Sequence, residues 1–296
     1  MRSHAELFAA LAVPRLVGTA NHGRVRDLLK HELVRRGFVV LEHRFAAAPR
    51  FPLWGAPVAE GINLIAVRPR TRVTTWLVAH YDSKGQPVSM ATRLLLVGAA
   101  LAALVAAAVA TMGGGHPIVW WAPPIGLAGL MVWLNRVTER SPGAVDNASG
   151  VLTALTALDA LSPRTTVGVL LLDAEEFGLV GARALVRERQ NLLHDTVVIN
   201  FDGIDDRGGV VAFVHRPGPV VNAVAERLRA RRCQRLPVLV DGMALAAAAR
   251  ECVTLMKGDW GTMRIVHRPG DSQDRLVLGG VSEVGRGVAE ALEDIH

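Results

Sequence analysis

Five short stretches of this 296-residue chain carry acidic or imidazole side chains in settings where chemistry is done. They are His80 and Asp82 in "AHYDS", Asp146 in "SPGAVDNASGV", Glu175 and Glu176 in "DAEEFGLVGA", Asp202 in "INFDGI", and His267 in "VHRPGDSQDRL". Carboxylates and imidazoles without thiolates form a donor set that suits zinc, with cobalt or manganese as competitors. Two ions need one bridging carboxylate and roughly two further ligands each, and two histidines with three carboxylates supply that set. A general base must also take a proton from a metal-held water, and adjacent glutamates can divide the work, one ligating while its neighbour faces the water. Taken singly, a histidine at a strand end is usually a hydrogen-bonded structural residue, and a Glu-Glu pair is usually a solvated helix start. The specificity lies in the conjunction.

The elements that must position these residues are legible in the apolar pattern. From Asn21 to Arg36 the spacing of Val25, Leu28, Leu29 and Leu33 predicts an amphipathic helix that Gly37 ends. "FVVLEHRF", "GINLIAVRP", "TTWLVAHYDS", "TTVGVLLLDAEE" and "TVVINFDGI" read as strands, with helical stretches such as "GVLTALTALDAL" and "ALVRERQNLL" between them. Apolar, unalternating strands interleaved with helices predict an α/β fold with a doubly wound, mainly parallel sheet covered on both faces. Function in such sheets sits at the carboxyl ends of the strands, which is where the candidate residues fall.

Composition excludes several classes. The chain has 33 Lys+Arg against 27 Asp+Glu, but the basic excess is arginine scattered over helices, with no interleaving of aromatic and basic residues, so no nucleic-acid partner is expected. Cys233 and Cys252 stand in no ligand spacing, which argues against a thiolate metal site or a disulfide framework. The N-terminal apolar patch, interrupted by Glu6 and Pro14, reads as an ordinary helix rather than a secretory signal. Oligomeric state is not written in the sequence.

The order and context of the candidate residues resemble the co-catalytic zinc aminopeptidase family, which includes bacterial leucyl aminopeptidases and glutamate carboxypeptidase relatives. The resemblance runs from "LVGTANHGRVRDLLKHELVRRGF" to the C-terminal helix. It implies a zinc-exopeptidase type of parallel α/β fold and two zinc ions per chain. The family's His-x-Asp appears as His80-Tyr81-Asp82, implying that His80 ligates one zinc while Asp82 holds its other ring nitrogen. "DNASG" places the bridging carboxylate at Asp146 and implies a cis peptide after it. In "DAEEFG", Glu175 takes the general-base position and Glu176 ligates the second zinc. Asp202 falls beside the first zinc and His267 beside the second, with Asp271 supporting the loop. Asp241 stands where relatives carry an aspartate that helps form the pocket. The family's His-Thr-x-x-Asp is "HRPGD" here, so Arg268 is expected to alter the pocket or its charge. The resemblance implies release of N-terminal residues from peptides. It leaves three alternatives: hydrolysis of N-acyl amino acids, a single-zinc glutaminyl-cyclase-like transferase, and a non-catalytic membrane receptor or scaffold.

One segment interrupts this pattern. Residues 94–112, "LLLVGAALAALVAAAVATM", carry no charge, and a second apolar run follows at 117–134 after a glycine-rich turn. As helices these runs extend about 28 and about 27 Å, close to the thickness of a bilayer core. The reading is a catalytic domain of residues 1–92 and 137–296 with an inserted transmembrane helical hairpin at 93–136, contacting the lipid bilayer through residues 94–134. If His80 and Asp146 serve one metal pair, the chain must return to where it left, which requires an even number of crossings. Arg93, Lys84, Arg136 and Arg140 flank the runs, placing the catalytic domain on the cytoplasmic side of a membrane, and Trp120, Trp121 and Trp133 suit interfacial anchors. Pro123-Pro124 favours a pair of buried helices or an apolar dimer contact, and shallow re-entrant association and a hydrophobic lid are the other competing readings. Attachment of the hairpin close to Asp82 and Asp146 predicts a metal site near the membrane surface, approached along it by short hydrophobic peptides or acylated amino acids.

Overall fold

The computed structural model describes residues 2–49, 55, 57, 59–114, 117–163 and 165–295. Helices α1 (His4–Leu11) and α2 (Ala20–Arg35) precede the strands β1 (Val39–Ala47), β2 (Ala59–Val67) and β3 (Thr75–His80). Next come the long helices α3 (Met90–Met112) and α4 (Pro117–Leu134), then α5 (Gly150–Ala160), β4 (Val167–Leu172), α6 (Val180–Arg189) and β5 (Val197–Ile204). The remainder is β6 (Gly209–Arg216), α7 (Pro219–Arg227), β7 (Arg231–Cys233), α8 (Asp241–Leu245), β8 (Glu251–Gly258), α9 (Trp260–Ile265) and α10 (Gly279–Glu293).

The eight strands form one sheet in the order β1-β2-β4-β3-β5-β8-β6-β7. Its centre, β4-β3-β5-β8, is parallel throughout, while β1-β2, β2-β4 and β6-β8 pair antiparallel. The sheet is therefore mixed, with its parallel centre including the strands that lead into the site and a second parallel pair, β6-β7, at one edge. Burial on both faces explains why these strands do not alternate. In β3, Leu77 and Ala79 enter the core shared with α1, α2, α5, α7 and α10, whereas Trp76 and Val78 pack on the other face with Leu185 of α6 and Leu245 of α8. All six residues of β3 and of β4 are buried.

The apolar insertion forms two helices packed against each other and joined to the sheet through a narrow neck. Gly85 and Thr138 exchange both backbone hydrogen bonds, at 2.7 and 2.9 Å, so the chain leaves and re-enters the body at one point. A side chain at Gly85 would meet Thr138 Oγ1 at 2.6 Å, so only glycine lets the two segments approach this closely. Helix α3 has mean hydropathy 2.5 over its most apolar window, of which 6% is buried. Leu95, Val105 and Val109 are each more than 60% exposed. By length and composition α3 can cross a membrane, whereas α4 is the shorter apolar helix and stays helical through Pro123-Pro124. The turn expected between them falls partly on residues 115 and 116, which lie outside the described residues.

Candidate metal centre and substrate cavity

The topology delivers each candidate to one end of the sheet. His80 closes β3, the Glu175-Glu176 turn follows β4, and Asp202 lies near the end of β5. The pairing of β5 with β8 shifts register between Phe201 and Ile204, an irregularity that re-aims the Asp202 side chain. Asp146 sits in an irregular turn before α5 in which the Asp146–Asn147 peptide is cis, as the resemblance implies. Asn147 fixes that turn, its amide donating to the Phe201 carbonyl at 2.9 Å and its Oδ1 accepting from Gly150 and Gly203 at 3.1 Å each.

His80 Nε2 lies 3.2 Å from Asp146 Oδ1 and 3.9 Å from Asp202 Oδ1. His267 Nε2 lies 3.1 Å from both Asp146 Oδ2 and Glu176 Oε1. Two overlapping donor triads result, His80-Asp146-Asp202 and Asp146-Glu176-His267, with the ligand atoms of each within 4.8 Å of one another. Asp146 offers one oxygen to each. Both ring nitrogens of His80 and Oε1 of Glu176 are buried without a hydrogen-bond partner, although oppositely charged atoms stand close. Donor atoms that crowd together without aiming N–H at O fit lone pairs directed at a common cation. The residues present therefore fit a pair of zinc ions.

Around the triads a further set of contacts holds the ligands. The Asp82 carboxylate stands 3.5 Å from His80 Nδ1 and accepts the amide N–H groups of Glu175 and Glu176 at 3.2 Å each. One carboxylate thereby orients an imidazole and both glutamates. Asp271 accepts from the amides of Val145 and Asp146 at 2.6 and 3.2 Å, so the His267 loop fixes the bridging turn. Ala174, Leu179 and His267 hold φ of 54°, 59° and 65°. Left-handed backbone costs a non-glycine residue about 1–3 kcal/mol, and these three positions lie in the glutamate turn and at His267 itself.

The two adjacent glutamates are pushed apart electrostatically. Burial raises the Glu175 carboxyl well above the usual carboxylate range, with Glu176 and Asp202 acting in the same direction and His80 opposing. Burial also acts to raise Glu176, but His267 and Lys84 outweigh it and hold the carboxyl at about 2. Burial lifts Asp202 to about 7, while Asp146 is held well below its usual value because His267 and His80 overcome its desolvation. A pair divided this way has the electrostatics of a ligand beside a proton carrier.

Sequence reasoning missed four residues. Lys84 is buried with its ammonium 2.7 Å from Glu176 Oε2, and it donates to the Glu176 carbonyl at 3.2 Å. Arg15, 1% exposed, donates to the carbonyls of Tyr81, Pro142 and Gly143, binding the flanks of His80 and Asp146 together. Asp173 pairs with His22 at 2.8 Å and accepts from the Ile62 amide, anchoring the start of the glutamate turn. Arg93, at the root of α3, reaches Gln86 and Asn135. None has a local signal, since most of these contacts span 66 or more residues. Two weaker readings also resolve. Arg268 turns away from the pocket and donates to the carbonyls of Gln86 and Pro87. Asp241 is fully buried with both carboxylate oxygens lacking a hydrogen-bond partner, and it is not part of the cavity wall.

The ligands open into a cavity of about 540 Å³. Asp146, Glu175, Glu176, Asp202 and His267 line one end of it, and its walls are largely apolar, supplied by β8, α9, residues 236–240 and the roots of α3 and α4.

Solved structures share this architecture. A Zn-dependent exopeptidase from Parabacteroides distasonis superposes with TM-score 0.68 at 16% identity, over 98% of this chain and 96% of that one. A zinc aminopeptidase from Bacillus subtilis gives 0.65 at 13%, over 99% and 94%. A glutaminyl cyclase from Porphyromonas gingivalis gives 0.68 at 17%, over 99% and 98%. At these identities the likeness is one of fold. No curated protein sequence matches the chain. The sequence model of Peptidase family M28 matches residues 63–292, and with the paired ligand triads in place the chain belongs to that family.

Proposed function

We propose that this protein is a membrane-anchored aminopeptidase with two zinc ions, releasing apolar N-terminal residues from peptides. Family membership supports a zinc-dependent hydrolase acting on peptides. The observation that carries the finer reading is the pair of triads sharing Asp146 beside the buried, ligand-free carboxyl of Glu175.

His80 and Asp202 would hold one ion, Glu176 and His267 the other, and Asp146 both. When bound, the ions would supply Lewis acidity, lowering the pKa of a water and polarising the scissile carbonyl. Glu175 takes the water's proton and delivers it to the leaving amine, a role for which a raised carboxyl pKa is suited. Asp82 keeps both glutamates and the His80 ring in register. The apolar cavity excludes water and accommodates the side chain of the departing residue.

Metal analysis of the purified protein together with a screen of aminoacyl amides and N-acyl amino acids tests this reading. Two zinc ions per chain and release of apolar residues from free amines are expected. Activity confined to N-acyl substrates would replace peptides with acylated amino acids. One ion per chain with cyclisation of N-terminal glutamine would support the transferase reading suggested by the glutaminyl cyclase fold neighbours.

A further inference from the structure

The cavity that serves the proposed peptidase site has four basic residues in its wall, Lys84, Arg93, Arg231 and Lys257, and they differ in what neutralises them. Lys84 is paired with Glu176 at 2.7 Å. Lys257 faces Glu283 at 3.5 Å and donates to the carbonyls of Asp206 and Gly208. Arg231 is exposed to water. Arg93 is half-buried, and among the described residues no carboxylate pairs with its guanidinium, Glu176 acting on it only from a distance. Its partners are the neutral amide oxygens of Gln86 and Asn135. An arginine carries five N–H donors in a planar fork, so these two bonds fix the plane of the group and leave donors unspent. A cation so placed is not a water-exposed flank of a membrane helix but is tucked inward into the cavity wall.

Its position relative to the chemistry is fixed as well. The backbone N–H of Gln86 donates to the carbonyl of His267 at 2.9 Å, so Arg93 is held through one residue to a metal-ligand candidate. The adjoining wall is apolar and comes from the same hairpin, through Leu94 and Val97 of α3 and Met131 and Leu134 of α4.

We propose that Arg93 binds the free C-terminal carboxylate of the substrate and that the hairpin roots form its apolar wall, so that the substrates are very short hydrophobic peptides rather than the ends of long chains. This rests on the peptidase reading and narrows its substrate class. A planar guanidinium matches a carboxylate in a two-point fork, and a neutral terminal amide cannot replace that interaction. The hairpin is then part of the specificity pocket as well as the anchor.

The test uses the full-length zinc protein with leucyl-leucine and its C-terminal amide. The wild type is expected to prefer the free acid by about 10- to 100-fold in kcat/KM, the range of a charge-assisted contact, with the difference lying in KM. In Arg93→Gln the preference collapses toward one, and Arg93→Lys, which keeps the charge without the fork, restores part of it. Equal use of acid and amide by the wild type, or an undiminished preference in Arg93→Gln, overturns the proposal. Direct binding of both compounds to the zinc-loaded Glu175→Gln protein separates the two levels of inference. Acid-selective binding without turnover in the wild type would sink the peptidase reading and leave Arg93 as a carboxylate site. Turnover without acid selectivity would do the reverse.

Discussion

Glu175 and Glu176 are neighbours in sequence, yet burial raises one carboxyl while His267 and Lys84 hold the other low, so substitutions at the two should fail differently. Glu175→Gln removes the proton carrier and no ligand, and is expected to lower kcat by about 10²- to 10⁴-fold with full zinc content by elemental analysis. Retained activity would remove Glu175 from that role. Lys84 acts on Glu176 from behind, and Lys84→Gln should weaken one of two zinc-binding steps by about tenfold, as loss of an orienting partner does, leaving the other unchanged in calorimetric titration. Tighter binding would mean that the ammonium competes with the ion. The ligand candidates were legible because each falls in a short, chemically unusual run, at a strand end in "AHYDS" and "DAEEFG" and beside a helix end for Asp146 and His267. Lys84 was not, because a lysine four residues after a histidine has no meaning until β4 brings Glu176 against it. Arg15 is a similar case, a single arginine whose contacts reach 127 and 128 residues along the chain.

At the scale of elements, the sheet's parallel centre could be read from its apolar runs, and the β1–β5 segments fall where the pattern placed them. Of the strands left out of that reading, β7 is three residues, "RRC", held in the sheet by pairing rather than by a pattern of its own, whereas β6 and β8 carry apolar runs, "VVAFV" and "CVTLM", as legible as those of β3 and β4. The turn carrying Asp146 shows what pattern cannot convey. A side chain at Gly150 would stand 2.0 Å from Asn147 Oδ1 and 2.7 Å from the Phe201 carbonyl, so glycine there is a packing requirement of the turn that carries Asp146. Gly150→Ala should displace Asn147, lower thermal stability by about 1–3 kcal/mol, the usual cost of overpacking, and reduce zinc occupancy. Normal occupancy with an unchanged melting temperature would show that the turn relaxes freely. The candidate ligands also bear on stability. Without ions, four carboxylates, Asp146, Glu175, Glu176 and Asp202, crowd around two imidazoles and Lys84, so chelation should lower Tm by several degrees and zinc should restore it. A Tm indifferent to chelator would argue against metal binding at this site.

For the molecule as a whole, the distribution of apolar surface bears on the proposed anchoring role of α3 and α4. A helix pair built for the core would be buried, and one built for water would carry charge. Here α3 leaves the body with long aliphatic side chains exposed and its inward contacts made by small residues such as Ala107, while Trp121 donates to Thr111 across the pair at 3.2 Å. Exposed apolar area of this extent is stable when lipid or another apolar surface covers it. The basic flanks give less than their number suggests for orientation. Lys84 is consumed by Glu176 and Arg93 by the cavity wall, whereas Arg140 is exposed beyond α4. We therefore expect the full chain to fractionate with membranes and to resist extraction by high salt. Replacing 94–134 with a short linker should move it to the soluble fraction, because the Gly85–Thr138 neck closes without the hairpin. The same deletion removes Leu94, Val97, Met131 and Leu134 from the cavity, so the soluble form should keep its zinc but lose kcat/KM toward apolar substrates through KM. A full-length protein soluble without detergent would overturn the membrane reading. A soluble deletion with unchanged KM would show that the hairpin anchors the enzyme and takes no part in recognition.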